Sequence, residues 1–356
     1  MVHTSHVTSH AKGGAALPRR VTLVDVAAQA GVSVSSASRA LTDKSASVDV
    51  RERVQLAARE LGYVPDSTAR SLKLGASRQV LFAVDDIGNP NYVAMLRAIE
   101  RTFGYTGPRV SVATVGRDSG TPVDLVEAVS RGRADGLILS PIRRSSLLEE
   151  RLSSSAIPTV VIGSVSESVQ VDSVRIDSGK AIAIAAEHLI ARGRRRIAFI
   201  NGPSDTNPGE VRARGFAQSL RVAGIAADPM LEISAADFTV GAGVVAAHAL
   251  FERGNYTELP FDAIVAANDL LAMAAINVAV GRGFRVPDDV AVTGLDDTEL
   301  GSVFIPSITS VSLRAAERGA RAAQMLEARF QHPQRPIERV AFEPELHVRA
   351  SCGGAL

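Results

Sequence analysis

The chain is poor in cysteine. Cys352 stands alone among 356 residues, so neither an internal disulfide nor a cysteine-rich zinc site can form. No apolar run approaches the ~18–20 residues that a membrane-spanning helix needs, and a soluble protein is expected. The first twenty residues, MVHTSHVTSHAKGGAALPRR, lack the apolar core of a secretory signal and read as a flexible polar tail. The seven histidines are scattered without an H-E-x-x-H pair, and no G-x-S-x-G occurs. Hydrolase chemistry therefore has no candidate constellation. These absences lead to the expectation of a cytoplasmic protein that is not an enzyme and carries no metal or cofactor.

What the chain has in quantity is core-forming material. Hydrophobic residues make up 46% and charged residues 22%, enough for two or three folded domains at this length. The charge is unevenly placed. Residues 1–75 hold ten Lys and Arg against six Asp and Glu, while the remainder holds 29 against 32. A basic small end on a mildly acidic body hints at contact with a polyanion, although a basic tail alone would give the same balance.

Residues 21–64 carry three helical stripes. Thr22 and Asp25 stand in the [ST]-x-x-[DE] relation that caps a helix start, ahead of Leu23, Val26, Ala27 and Ala30. Gly31 suits a turn with positive φ, Val32 can plug that turn into the core, and Ser33 is a good N-cap for a second helix. In the second helix Ala37, Ala40 and Leu41 face inward, leaving Ser35, Ser36, Ser38 and Arg39 outward. A third stripe (Val50, Val54, Ala57, Ala58, Leu61) stops at Gly62. Two short helices joined by a glycine turn fit a helix-turn-helix. Any small helical bundle would show the same pattern.

The wording of this segment separates the two readings. Thr22-Leu23, Asp25-Val26-Ala27, Ala30-Gly31-Val32-Ser33, Ser38-Arg39, Gly62-Tyr63-Val64-Pro65 and Ala69-Arg70-Ser71-Leu72-Lys73 follow one another as they do in the headpiece of the LacI/GalR family of bacterial transcription regulators, which residues 21–73 closely resemble. The resemblance implies that Val34, Ser35 and Arg39 meet base edges in the major groove. Arg39 alone among them has a donor fork suited to guanine O6 and N7. Thr22, Ser33, Ser36 and Ser38 would bond phosphates and set register, with helix capping and a solvated face the alternative for the serines. Thr42 replaces the Asn with which the family usually ends its recognition helix. Residues 65–75 match the family's hinge helix. There Leu72 would wedge into the minor groove at the operator centre, with Ala69, Arg70 and Lys73 lining the contact. Read without the family, Asp66 caps a short helix and Leu72 awaits a core.

From Gln79 the period changes. QVLFAV, RVSVATV, DGLILS, PTVVIG, RIAFIN, DAIVAAN and DVAVTG alternate with helical stretches, the pattern of parallel sheets built from βαβ units. The number of such runs suits two sheets and hence two lobes. Ligands bind such sheets at the carboxyl ends of the strands. Residues 79–350 resemble the family's effector-binding and dimerisation domain, which has the periplasmic-binding-protein fold. The fold class expected for the whole chain is thus α plus α/β, a helix-turn-helix headpiece followed by a two-lobed α/β domain. Crossings between lobes are expected near 175–178, 305–308 and 333–336. That division gives lobe 1 residues 79–176 and 307–334, and lobe 2 residues 177–306 and 335–350.

Matching the family's effector site residue by residue points to Arg212 for ligand hydroxyls or a carboxylate and Phe238 for stacking on a ring. Asn268 and Asp296 would pair with hydroxyls, and Asn89 to Tyr92 would form the facing wall. Together they could grip a polyhydroxylated ring. Loop and helix capping is the alternative for Asn268 and Asp296. Gly163 and Leu295 depart from the family, where an acid and an aromatic are frequent. Two further motifs compete for attention. Gly241-Ala242-Gly243-Val244-Val245-Ala246 fits G-x-G-x-x-[GA], with Asp262 placed for a ribose, but no clear buried strand precedes it. Arg192 to Arg196 resembles a nucleic-acid patch and is expected to be a helix-to-strand turn. The function implied is a homodimeric, sequence-specific DNA-binding regulator, with repression the expected mode. It would act on double-stranded DNA at a near-palindromic operator and be controlled by a small effector, a sugar before a purine. A solute-binding protein of transport type is the alternative, and it would have no use for residues 21–73.

Overall fold

The computed structural model describes residues 21–41, 46–61, 63, 78–115, 121–143, 145–253 and 259–354. It divides into two compact units, residues 1–76 and 77–356. The polar tail, Thr42 and the hinge residues Asp66, Ala69, Arg70, Leu72 and Lys73 lie outside the described residues.

In the first unit, helices α1 (Leu23–Gln29), α2 (Val34–Leu41) and α3 (Val48–Glu60) enclose a small core of Val26, Ala27, Ala30, Ala37, Ala40, Val54, Ala57 and Ala58. The capping box at α1 is formed. The Thr22 hydroxyl accepts from the Asp25 amide at 3.4 Å, and the Asp25 carboxylate accepts from the Thr22 amide at 2.8 Å. Gly31 has φ +65°, the left-handed value that lets the chain turn within one residue. With alanines at most of the contact positions the helices approach closely, and Gln29 donates to Glu60 across α1 and α3 at 2.8 Å.

The second unit holds two six-stranded sheets. The strands are β1 (Gln79–Val84), β2 (Arg109–Thr114), β3 (Gly136–Ser140), β4 (Thr159–Ile162), β5 (Asp172–Ile176), β6 (Ile197–Asn201), β7 (Glu232–Ser234), β8 (Ala263–Ala266), β9 (Ala291–Leu295), β10 (Thr309–Ser312), β11 (Arg339–Phe342) and β12 (Glu345–His347). They order as β11-β5-β4-β3-β1-β2 and β12-β10-β9-β8-β6-β7, parallel throughout except that β12 runs antiparallel to β10. Fully buried strands such as β3, β4, β6 and β8 carry no polar face, as sheets covered on both sides require. The helices that position the candidate site are α4 (Pro90–Phe103), α7 (Ser178–Ala191), α8 (Asn207–Val222), α9 (Val240–Phe251), α10 (Asp269–Gly281) and α12 (Ala315–Gln331).

The strand pairings place two of the three lobe crossings elsewhere than expected. The first lies between β5 and α7, at Asp177, whose carboxylate caps α7. β10 pairs with β9 in the second sheet, Thr309 beside Thr293, so residues 307–312 belong to lobe 2 and the second crossing falls between Ser312 and Ala315. β11 pairs with β5 in the first sheet, so 339–342 belong to lobe 1 and the third crossing falls between Phe342 and Glu345. The expected boundaries at 305–308 and 333–336 rest on the resemblance to the family's fold. Edge and crossing strands this short and polar do not announce themselves by hydropathy. Asp172 sits in β5, 1% exposed, because Arg329 of α12 grips it through Nε and Nη2 at 2.9–3.0 Å.

The two competing motifs also find structural roles. Gly243 lies inside α9, and a Cβ there would meet Ala274 Cβ at 2.8 Å, so the glycine serves close packing on α10. The Asp262 carboxylate accepts from the Arg195 and Arg196 amides. Arg192, Arg194, Arg195 and Arg196 each donate to backbone carbonyls around the turn.

Candidate DNA interface and effector cleft

In the headpiece, the face of α2 opposite its buried alanines presents Val34, Ser35 and Arg39, all exposed, with Ser36 and Ser38 partly so. The Ser33 hydroxyl accepts from the Ser36 amide at 3.1 Å, capping α2, and hydrogen-bonds the Ser35 and Ser36 hydroxyls at 2.9 Å. Capping and phosphate contact are compatible, since a hydroxyl has one donor and two acceptor sites. Thr22, at the start of α1, is exposed beside its capping partner.

The second candidate region lies between the lobes of the second unit. Tyr92 on α4 and Arg318 on α12 come from lobe 1. Arg212 on α8, Phe238 before α9, Asn268 at the start of α10 and Asp296 after β9 come from lobe 2. Tyr92, Arg212, Asp296 and Arg318 are 6–8% exposed, which is a burial unusual for three charged residues. Arg212 donates to the Ala267 carbonyl at 2.9 Å and lies 5.3 Å from the Phe238 ring centre. Asn268 accepts from the Leu271 amide and donates to the Phe238 carbonyl at 3.0 Å, so it caps α10 and fixes the Phe238 loop. Gly202 at the end of β6 makes room for that ring, because a Cβ there would lie 2.0 Å from it. Asn89 likewise caps α4 by accepting from the Asn91 amide at 3.0 Å. Leu295 points into the lobe-2 core.

Arg318 and Asp269 did not stand out in the sequence. Arg318 carried a readable signal, as it shares the buried stripe of α12 with Ala315, Gly319, Ala322 and Met325. Gly319, where a Cβ would meet the Met95 carbonyl at 2.6 Å, lets α12 settle on α4 and brings Arg318 toward Tyr92. Asp269 accepts from the Thr298 amide and hydroxyl and the Ser310 hydroxyl at 2.6–2.8 Å, holding the loop that carries Asp296. That loop is strained, with Asp296 at φ +100° and Asp297 at φ +53°, a conformation kept only where surrounding contacts enforce it.

Burial dominates the electrostatics. It pushes the Asp296 carboxyl up to about 7 despite the neighbouring arginines and that of Asp269 to about 6 against its three donors. Burial, joined by the charge of Arg212, pushes Arg318 down to about 10 against the pull of Asp296, and it raises the Tyr92 phenol. Several polar atoms here have no hydrogen-bond partner: Arg212 Nε, Arg318 Nη2, Asp296 Oδ1 and Thr293 Oγ1. The cavity bounded by Asp85, Asp86, Asn89, Tyr92, Ile142, Asp237 and Phe238 holds only about 20 Å³. At its rim the Asn207 amide donates to the Ile142 carbonyl at 2.7 Å, and Arg143 pairs with Asp205 at 3.1 Å. Both contacts join lobe 1 to lobe 2, so the lobes are closed on one another. Among the described residues no cluster of His, Cys, Asp and Glu could hold a metal ion, and no helix is long and apolar enough to cross a membrane.

Comparison with known proteins covers both units. Residues 22–66 match the bacterial regulatory proteins of the lacI family, and residues 186–352 match a periplasmic binding protein-like domain. The HTH-type transcriptional regulator CelR of Thermobifida fusca is 34% identical, over 94% of this chain and 98% of its own. The HTH-type transcriptional repressor CytR of Escherichia coli is 30% identical, over 93% and 96%. Among solved structures, a CelR–cellobiose complex aligns over 93% of this chain and all of its own, at 32% identity and a TM-score of 0.68. A lac repressor dimer bound to operator and the anti-inducer ONPF aligns over 94% and 99%, at 26% identity and a TM-score of 0.75. Relatives this similar over nearly their whole length establish that the chain belongs to the LacI family and is a DNA-binding transcription regulator, not an enzyme.

Proposed function

We propose that the chain is a cytoplasmic homodimeric repressor. In this reading two headpieces engage the halves of a near-palindromic operator, and a small ligand between the lobes sets their affinity for it. A two-fold protein demands a two-fold site. On the DNA, Arg39 reads guanine, Val34 and Ser35 touch neighbouring base edges, and Thr22, Ser33, Ser36 and Ser38 hold phosphates. Leu72 is the minor-groove wedge, flanked by Ala69, Arg70 and Lys73. In the cleft, Arg212, Phe238, Asp296, Asn89 and Tyr92 meet the effector, while Asn268 positions Phe238.

The observation that carries this reading is the buried, incompletely hydrogen-bonded polar cluster between closed lobes. Such groups are costly when left unpartnered, and a ligand supplying their missing partners would favour the closed arrangement over an open one. That a relative has been solved with cellobiose bound supports a carbohydrate effector here. The test is fluorescence anisotropy of the full chain on its own upstream intergenic DNA against scrambled DNA, at two salt concentrations. Preference for its own DNA that survives the higher salt is expected. Equal, weak, salt-sensitive binding to both sequences, with and without a sugar and nucleobase panel, would refute the assignment.

A further inference from the structure

The cleft between the lobes carries more positive charge than a neutral sugar needs. Arg212 and Arg318 enter it from opposite lobes, 7% and 6% exposed. Each spends part of its donor fork on a backbone carbonyl, Arg212 on Ala267 and Arg318 on Leu313. Each then keeps a buried nitrogen with no acceptor, Nε of Arg212 and Nη2 of Arg318. Were this a structural ion-pair network, Asp296 would take those nitrogens. Instead Asp296 Oδ1 is itself without a partner, and among the described residues no ion pair joins either arginine to it. Two guanidinium groups thus face one carboxylate, and burial favours the uncharged form of that carboxylate. A buried cation with an unfilled donor and no ion pair calls for an anion.

The rim of the cleft has the other polarity. Asp86, Asn89 and Asp237 line the rim cavity beside Phe238, offering acceptors and one aromatic face. Asp85 and Asp205 are there too, held by Arg143. Carboxylates at the rim accept hydroxyl hydrogens and repel a second negative group, so a ligand with an acid at each end is disfavoured. Resting on the reading of this cleft as the effector site, we propose that the effector is an anionic sugar, bearing one carboxylate or phosphate that bridges Arg212 and Arg318, with its hydroxyls turned toward Asp86, Asn89 and Asp237.

The chain has no tryptophan, so binding is best read by calorimetry and dye-based melting of the full-length protein at pH 7. The probes are gluconate, glucuronate and glucose 6-phosphate, with neutral glucose as their parent and acetate and inorganic phosphate as bare anions. The expected result is that an acid or the phosphate ester binds at least tenfold more tightly than glucose and than the bare anions. The responding arm identifies carboxylate or phosphate as the source of charge. Arg318→Met should lower that ligand's affinity at least tenfold, and Arg318→Lys, which keeps the charge without the fork, should fall between. Glucose binding as tightly as its charged derivatives, or no probe binding at all, overturns the proposal on the native chain alone, whatever the variants do. An unchanged affinity in a folded Arg318→Met protein overturns it equally. Operator anisotropy on the same samples separates the two levels. Operator binding that responds only to neutral sugar removes the anion and leaves the regulator standing, whereas absence of any operator preference removes the functional reading itself.

Discussion

The sharpest physical consequence of the cleft is that Asp296→Asn should stabilise the ligand-free protein, and should do so more at high pH. In the folded chain Asp296 is 7% exposed and its carboxyl titrates at about 7, against 3.8 for a solvated aspartate. The native state therefore binds the proton more tightly than the unfolded chain does. The cost of ionising the buried group is absent below pH 3.8, grows as pH rises between the two values, and is complete above 7. At ~1.36 kcal/mol per pH unit the full cost is about 4 kcal/mol at pH 8 and under half of that at pH 5. Asparagine removes the charge while keeping size, and it tolerates the positive φ of this position better than any other non-glycine substitute. With ~2–4 °C per kcal/mol for a domain of this class, the variant should melt on the order of 8 °C higher than the native chain at pH 8, with the gap shrinking toward pH 5. Asp269, raised to about 6, is charged at pH 8 in both proteins, and its charge contributes to the raised carboxyl of Asp296, so part of the cost that the variant removes is repulsion between these two carboxylates. Dye-based melting curves at the two pH values suffice. A variant that melts lower at pH 8, or a gap independent of pH, would refute the claim that Asp296 is held against its charge.

Three other substitutions probe the remaining parts. Arg39→Ala should cost ~1–3 kcal/mol of preference for the operator while leaving weak, salt-sensitive binding to any DNA, and anisotropy showing unchanged preference would reject its place in the recognition helix. Phe238→Ala should weaken the effector by ~1–2 kcal/mol, about fivefold to thirtyfold in Kd by calorimetry. Normal affinity would move the ligand away from this ring. Asp172→Asn strands Arg329, only 9% exposed, with no counter-charge. A loss of ~3–5 kcal/mol in denaturant unfolding is expected, and a loss below about 1 kcal/mol would show that the carbonyls of Pro333 and Pro336 suffice to hold the guanidinium.

The sequence was most legible where local rules and burial agree. The Thr22–Asp25 box, the Gly31 turn and the alanine stripe of α2 are all read from spacings within four residues, and they appear in the structure as capping bonds and buried faces. Six of the seven apolar strands were legible for the same reason, being wholly or largely buried, while the exposed edge strand β2 was legible from its alternating valines alone. β5, β10 and β11 were not, because their stability comes from partners far along the chain. Asp172 is tolerable in β5 only because Arg329 arrives 157 residues later. Two crossings expected from the family's fold were misplaced as a direct result, since nothing local marks the connections at 313–314 and 343–344. The cleft was half legible. Its residues at strand ends could be named, but the interpretation of Asn268 and Asn89 depended on where their amide atoms point, and both act as helix caps. Arg318 escaped because a single arginine on an apolar stripe is ambiguous until the opposite wall is known.

The closed cleft links these observations to regulation. Arg143–Asp205 and the Asn207–Ile142 hydrogen bond hold the rim. With Arg143 33% and Asp205 54% exposed, that ion pair contributes under ~1 kcal/mol. Opposing it are the unpartnered polar atoms behind the rim, each of which costs ~1–3 kcal/mol where left uncompensated. The closed state is thus only lightly secured without ligand, and the groups that weaken it are the ones a ligand would satisfy. A ligand supplying acceptors to Arg212 and Arg318 gains affinity in the closed state alone, because these residues belong to different lobes and face one another only there. By linkage, the same differential affinity is the largest free energy that the effector can transmit to operator binding. A ligand that touched one lobe only would bind without regulating. On the proposal made above, the opposed arginines are the residues at which affinity for the effector and control of the operator cannot be separated.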